Sequence, residues 1–387
     1  MTAIRLNLLT DNLILTQPHG YVSLPGLLSR LAKDEVDSYP ALRPHQGPAW
    51  HMFLVQLAAV ALHRAGTQHI AEDEERWRQA LRGLTPDFDQ DEPWCLIVED
   101  ASKPAFLQPA VPEGSSVSDE VSTPDALDLL ITSRNHDLKQ SIANEAGAQD
   151  WLFALVSLQT TEGFGGQKNY GIARMNGGSS SRSMVSLAPL KLERDGTFAL
   201  RLGLWFRRDV TALLMTRETT LDEHEHIPFS SSGGVALTWL PTWNIDEQLS
   251  LTELDIWFIE VCRRIRLEFR NDKIKARKGN SLKTRIAADG LKGSLADPWA
   301  PVHKVENKSF TLGEDDFTYK KIVDLLSGDW RLPLLAKLAE SDSTEATMML
   351  VTQALARGNC KTWGFKRVLK NSLFFAFGFV FMCREFA

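Results

Sequence analysis

Glu162–Leu190 reads EGFGGQKNYGIARMNGGSSSRSMVSLAPL, with Gly163, Gly165, Gly166, Gly171, Gly177 and Gly178 interleaved with Lys168, Arg174 and Arg182. Glycine lets a backbone take positive φ and approach a partner closely, and cations beside it suit a polyanion. No Gly-Lys-Ser/Thr closes the stretch, so it is not a Walker loop, and GFGGQK lacks the GxGxxG spacing of a dinucleotide fingerprint. A nucleic-acid backbone or groove fits better than a bound nucleotide. The plainer alternative is a long glycine-rich connection between a helix and a hairpin.

The flanks supply that helix and hairpin. Asp150–Gln159 has the pattern of a helix, and Ser183–Leu190 and Phe198–Phe206 flank Arg194-Asp195-Gly196, where Asp-Gly signals a hairpin turn. Further upstream, Leu6–Leu15 and Tyr21–Leu24 read as a strand pair leading to a helix at Leu27–Lys33. Pro44 and Pro48 precede an apolar helix over Trp50–Ala65, Gly66 stops it, and Glu72–Arg82 is a charged helix. Pro86–Pro124 is irregular, with a short strand at Trp94–Val98; Pro124–Arg134 is helical, and Ser133–Ala148 is a polar loop. Downstream, Leu251–Arg270 reads as an amphipathic helix, and Lys320–Leu326 and Leu332–Leu338 as short ones. The fold class is α+β: one large mixed domain over 1–362 with a glycine-rich loop and β-hairpins, then an aromatic-rich tail over 363–387.

Charge is distributed unevenly. Arg263–Lys292 carries eleven basic residues against Glu268, Asp272 and Asp289, in a chain of net charge −6. Such a chain grips nucleic acid locally rather than coating it, unless the run is only a solvated helix face. Lys168, Arg174, Lys275, Arg277 and Lys278 are the candidate phosphate contacts. Cys95, Cys262, Cys360 and Cys383 form no CxxC pair, which suits a reducing cytoplasm. No signal peptide or membrane span is expected.

Catalytic constellations are missing from the sequence. GxSxG, HExxH and HNH-like clusters are absent. His224 and His226 around Glu225 offer only two metal ligands on a loop, and His45 and His51 beside Trp50 suit packing at a helix entry, so no metal, cofactor or enzyme activity is expected.

Several stretches together resemble one family. GFGG with its following Gly/Arg/Gly run, LNLLTDNLI at Leu6–Ile14 with Val22–Leu28 behind it, DPWAPV at Asp297–Val302 and ALARGNCKT at Ala354–Thr362 resemble the CasA-type large subunit of the type I-E CRISPR Cascade complex. The likeness is colinear from Leu6 to about Thr362. It implies a non-catalytic subunit that reads a short protospacer-adjacent motif through the minor groove of duplex DNA and helps open the target. The glycine loop would be Gly163, Phe164, Gly165 and Gly166, and the lysine finger Lys304 or Lys308. The wedge would be Asn359, Cys360 and Lys361, although Cys360 and Lys361 replace the Gln and Ala the family has there. Ser133–Ala148 corresponds in placement to the segment that touches the five-prime handle of the guide RNA. Implied partners are guide RNA, double-stranded target DNA, the other Cascade subunits and a helicase-nuclease. The family ends in a four-helix bundle for which too few residues follow Thr362, so a truncated helical C-terminus is expected. Two rival readings are an enzyme holding a phosphorylated substrate in the glycine loop and a purely structural assembly subunit.

Overall fold

The helix α2 (Gly47–Arg64) is apolar on almost every side, and a helix of that kind must be buried all round. Pro48 sits in its first turn, where a missing N–H costs nothing. Around it pack α3 (Glu74–Arg82), α5 (Ala148–Thr161) and α6 (Leu202–Met215), and α1 (Leu24–Ala32) packs on α3 and α6. Ser23 caps α1 and Asp73 caps α3 by accepting from backbone N–H groups. The computed structural model describes residues 5–115, 117–128, 146–313, 316–343, 346–358 and 361–372.

The strands form several sheets, and the fold is α+β. An opening hairpin pairs β1 (Ile14–Thr16) with β2 (Gly20–Val22), and β3 (Asp119–Val121) precedes the short helix α4 (Pro124–Leu127). The largest sheet places β4 (Met184–Leu192) and β5 (Phe198–Leu200) beside a long hairpin of β12 (Met348–Gly358) and β13 (Lys361–Ser372), in the order β13-β12-β4-β5. Alternate residues of this sheet enter different cores. Met184, Ala188, Met349 and Val351 join the main core around α2. Val185, Leu187, Met348 and Leu350 join a second one with Phe310, Leu312 and Leu325 of α8 (Tyr319–Ser327). The period of two along a strand produces this split.

Several expectations change. Leu251–Arg270 is not a helix: a capped turn at Leu251–Glu253 leads into β7 (Leu254–Ile259) and β8 (Arg264–Arg270). β7 is buried along its whole length and pairs in parallel with β6 (Val235–Leu237), so burial of Ile256, Trp257, Phe258 and Ile259 outweighs the helical spacing. β8 pairs with β9 (Lys273–Gly279), so the basic run is largely a hairpin rather than a helix face. The Asp-Gly turn forms, but β5 ends at Leu200 and α6 begins at Leu202. Leu332–Leu338 holds only a single turn at Leu334–Ala336. Beyond residue 358, β13 (Lys361–Ser372) pairs antiparallel with β12.

Candidate nucleic-acid interface

The glycine segment leaves α5 at Thr161 and folds back on itself. Glu162 bridges Ser181, Phe164 N donates to Gly178 O at 2.6 Å, and Ile172 N donates to Glu162 O at 2.9 Å. A Cβ on Gly163 would lie 2.4 Å from both Gly178 O and Ser180 O, and one on Gly171 would lie 2.5 Å from Gly163 C. These glycines exist because three backbones cross where no side chain fits. Gly165 and Gly166 are different. They form a small turn in which Gly165 N donates to Asn169 O and Asn169 N to Gly166 O. Gly165 is exposed, and a Cβ there would meet only the tip of Arg263 at 3.1 Å and Asn169 beyond 3.4 Å. Gly166 holds φ +116° and faces open space, so backbone conformation alone demands glycine there. Phe164 stands between the two kinds, 40% exposed.

The cations divide sharply. Arg174, expected at phosphates, is buried: its guanidinium donates to Ile256 O at 3.0 Å and Leu295 O at 3.2 Å and lies 4.0 Å over the Phe258 ring. Burial pulls its pKa down to about 10. It clamps the interior and is not a phosphate contact. Arg182 is likewise buried, paired with Asp297 of the DPWAPV stretch at 2.7 and 2.8 Å. Burial alone would raise the Asp297 pKa, but the Arg182 charge and hydrogen bond more than offset this and hold it below the carboxylate range. Lys168 is exposed, at φ +68°. Lys275 pairs with Glu120 at 2.7 Å, and Arg277 with Glu268 at 2.8 Å and Glu120 at 3.3 Å, so both are partly neutralised at the surface. Lys278 is half-buried and makes no ion pair among the described residues.

The lysine candidates occupy a tight turn. β10 (Val302–His303) pairs with β11 (Trp330–Arg331), and His303 N donates to Lys308 O at 2.9 Å, closing the turn that carries Lys304 and Val305 at its tip. Lys304 is exposed, its Nζ donating to Gly328 O at 2.7 Å; Lys308 is half-buried and paired with Glu306. Gly293 joins this turn to the glycine segment. A Cβ on it would lie 2.2 Å from Ser309 Oγ and 2.6 Å from Met175 C. The third element arrives from β12: Ser181 N donates to Leu355 O at 3.2 Å and Leu355 N to Ser181 Oγ at 2.8 Å. Ser180 Oγ also bonds Leu355 O, at 3.1 Å. The glycine segment therefore touches both the lysine turn and the strand leading to the β12–β13 end, which closes at Gly358 paired with Lys361. Asn359 and Cys360 lie outside the described residues, as does 133–145 of the polar loop.

No family model matches the sequence, and no curated protein matches it either. Solved structures match the fold. Thermobifida fusca Cse1 aligns with a TM-score of 0.60 at 12% identity, covering 95% of this chain and 73% of its own. Thermus thermophilus CasA (Cse1) aligns at 0.57 and 14% identity, with the same two coverages. A chain of a CRISPR RNA-guided surveillance complex aligns at 0.57 and 13% identity, covering 95% of this chain and 76% of its own. The chain has the CasA fold.

Within this CasA fold two of the histidines singled out from sequence, His45 and His51, are tied into the interior. His45 bonds Asp128 at 2.8 Å, and His51 bonds Asp209 at 2.9 Å while stacking on Trp205 at 3.7 Å. His224 and His226 lie 5.9 Å apart, and no group of three His, Cys, Asp or Glu among the described residues could hold a metal. No helix among the described residues is long and apolar enough to cross a membrane. Sequence reasoning passed over Gly293 and Arg263, whose guanidinium donates to Gly163 O at 2.9 Å and braces the glycine loop. A glycine four residues before Asp297 was a visible signal for the first; nothing in the sequence separates Arg263 from its basic neighbours.

Proposed function

We propose that this chain is the large, non-catalytic subunit of an RNA-guided DNA surveillance complex, and that it reads a short motif in duplex DNA through the minor groove and helps open the target. The observation that supports this most is that the segment carrying the open glycines Gly165 and Gly166 also touches, through Met175 beside Gly293 and Ser309, the foot of the Lys304 turn and, through Ser180 and Ser181 on Leu355, the strand leading to the end of the β12–β13 hairpin. Bare backbone lies against a groove without a steric penalty, and one long cation beside it reaches base edges. The minor groove shows a degenerate donor and acceptor pattern, so one lysine tolerates several related sequences. Surface cations such as Lys168 and Lys278 add sequence-independent phosphate attraction. The guide ribonucleoprotein and the other subunits supply the partners, in keeping with a matching fold found in a CRISPR RNA-guided surveillance complex.

The test separates reading from gripping. In the complex assembled on guide RNA, Lys304→Ala should reduce the preference for motif over non-motif duplex by about tenfold while leaving non-motif binding nearly unchanged. An equal loss on every duplex would remove Lys304 from the reading role.

A further inference from the structure

A cleft of about 360 Å³ opens between the glycine segment, with Gly163, Phe164 and Gly171 in its lining, and residues 284–293. That volume is within the range of small-ligand sites and suits a single nucleotide. Its lining combines features that the duplex-reading proposal does not use. Phe164 is an exposed aromatic at the rim, with the Tyr170 ring 6.2 Å away. Gly177 and Gly290, both at positive φ and with no atom within 4 Å of where a Cβ would sit, leave stretches of bare backbone on two walls. Lys292 and Asp289 belong to the same lining.

We propose that this cleft holds one unpaired nucleotide of a single strand, its base stacked on Phe164 and its phosphate beside Lys292. The proposal rests on the nucleic-acid reading above and extends it from duplex to unpaired strand. An exposed phenylalanine at the rim of the cleft leaves apolar ring surface in water, and every base offers a π-face to cover it. Asp289 opposes the charge of Lys292, so the cleft is a poor trap for phosphate alone and affinity must draw on the ring. Opening a duplex releases unpaired bases, and a stacking platform next to the glycine loop would retain one of them.

The experiment measures binding of a fluorescein-labelled ten-nucleotide single strand by the full chain, beside motif-dependent duplex binding by the assembled complex from the same preparations. Phe164→Ala should weaken single-strand binding by about tenfold or more, Phe164→Trp should restore it, and Lys292→Ala should weaken it and lower the salt dependence by about one ion. Unchanged binding in Phe164→Ala, or no single-strand binding by the wild-type chain, overturns the proposal even if motif discrimination is intact. Absence of motif discrimination in the wild-type complex, with Phe164-dependent strand binding present, would sink the duplex reading and leave this one standing. Melting curves of each variant keep the comparison to folded protein.

Discussion

The arginines around the glycine segment and the lysines of the β8–β9 region carry the same charge in the sequence and face opposite ways in the fold. Arg174, Arg182, Arg263, Arg264, Arg266 and Arg285 are all buried. Of these, Arg174, Arg263, Arg264, Arg266 and Arg285 donate to backbone carbonyls, and Arg182 to Asp297. Lys273 and Lys283 are exposed, and Lys275 and Lys278 half-buried. The difference lies in the head groups. A guanidinium offers five donors in a planar fork and is weakly hydrated, so it can satisfy clusters of carbonyls that turns and chain crossings leave unpaired. An ammonium is a strongly hydrated point charge and stays in water. Positive charge counted along the sequence thus overstates the charge available to a polyanion, and lysine is the better guide to it.

If the buried arginines are structural, removing one should cost far more stability than removing a surface lysine. Arg182→Ala leaves the Asp297 carboxylate buried without its partner and should lower unfolding free energy by about 3–5 kcal/mol. Urea denaturation showing a loss below about 1 kcal/mol would erase the distinction between the two sets.

Glu260 sharpens the comparison from the acidic side. It is enclosed beside Arg174, accepts from Ala173 N at 2.6 Å, and burial raises its pKa from 4.5 to about 7. The folded protein therefore holds a proton that the unfolded chain has already released, and stability falls as pH rises from about 4.5 to about 7. Glu260→Gln should flatten this slope, whose full span is on the order of 3 kcal/mol. Thermal melts across that interval check it; an unchanged slope would mean that Glu260 is already ionised in the fold.

The smallest effect on stability belongs to the lysines. Lys273→Ala with Lys278→Ala should change unfolding free energy by less than about 0.5 kcal/mol, yet weaken binding of the assembled complex to every duplex and reduce its salt slope by about one per contact removed. Neutralising Lys275 should do less, since Glu120 already faces it. Salt titrations of wild type and variants decide between these outcomes.

Much of the architecture is legible in the sequence because it rests on local chemistry. Proline near the start and alanine, leucine and valine throughout mark α2. The Asp195-Gly196 turn announces the β4–β5 hairpin, and Asp297 lies in a stretch that stands out by its Asp-Pro-Trp run. Misreadings arise where long-range contacts decide. β7 has helical spacing, but pairing with β6 and enclosure on both faces make it a strand. The glycine segment stands out from its composition, but its glycines serve two purposes, and only the close packing around Gly163 and Gly171 separates the structural ones from the open pair at Gly165 and Gly166. Arg174 is misread as a phosphate contact for the same reason: its partners Ile256 and Leu295 are far away in sequence.

The most direct measurement compares wild-type and Gly165→Asp chains, each assembled on the guide complex, for binding to duplexes with and without the motif. Gly165 is exposed, and its nearest neighbour is the Arg263 guanidinium, whose charge the added carboxylate complements, so the substitution should leave folding and assembly intact while placing bulk and a negative charge where the duplex is proposed to lie. The predicted result is a loss of at least about tenfold, roughly 1.4 kcal/mol, on the motif-bearing duplex, with melting temperature and assembly unchanged. Wild-type affinity for that duplex in the assembled Gly165→Asp complex would contradict a DNA-reading glycine loop.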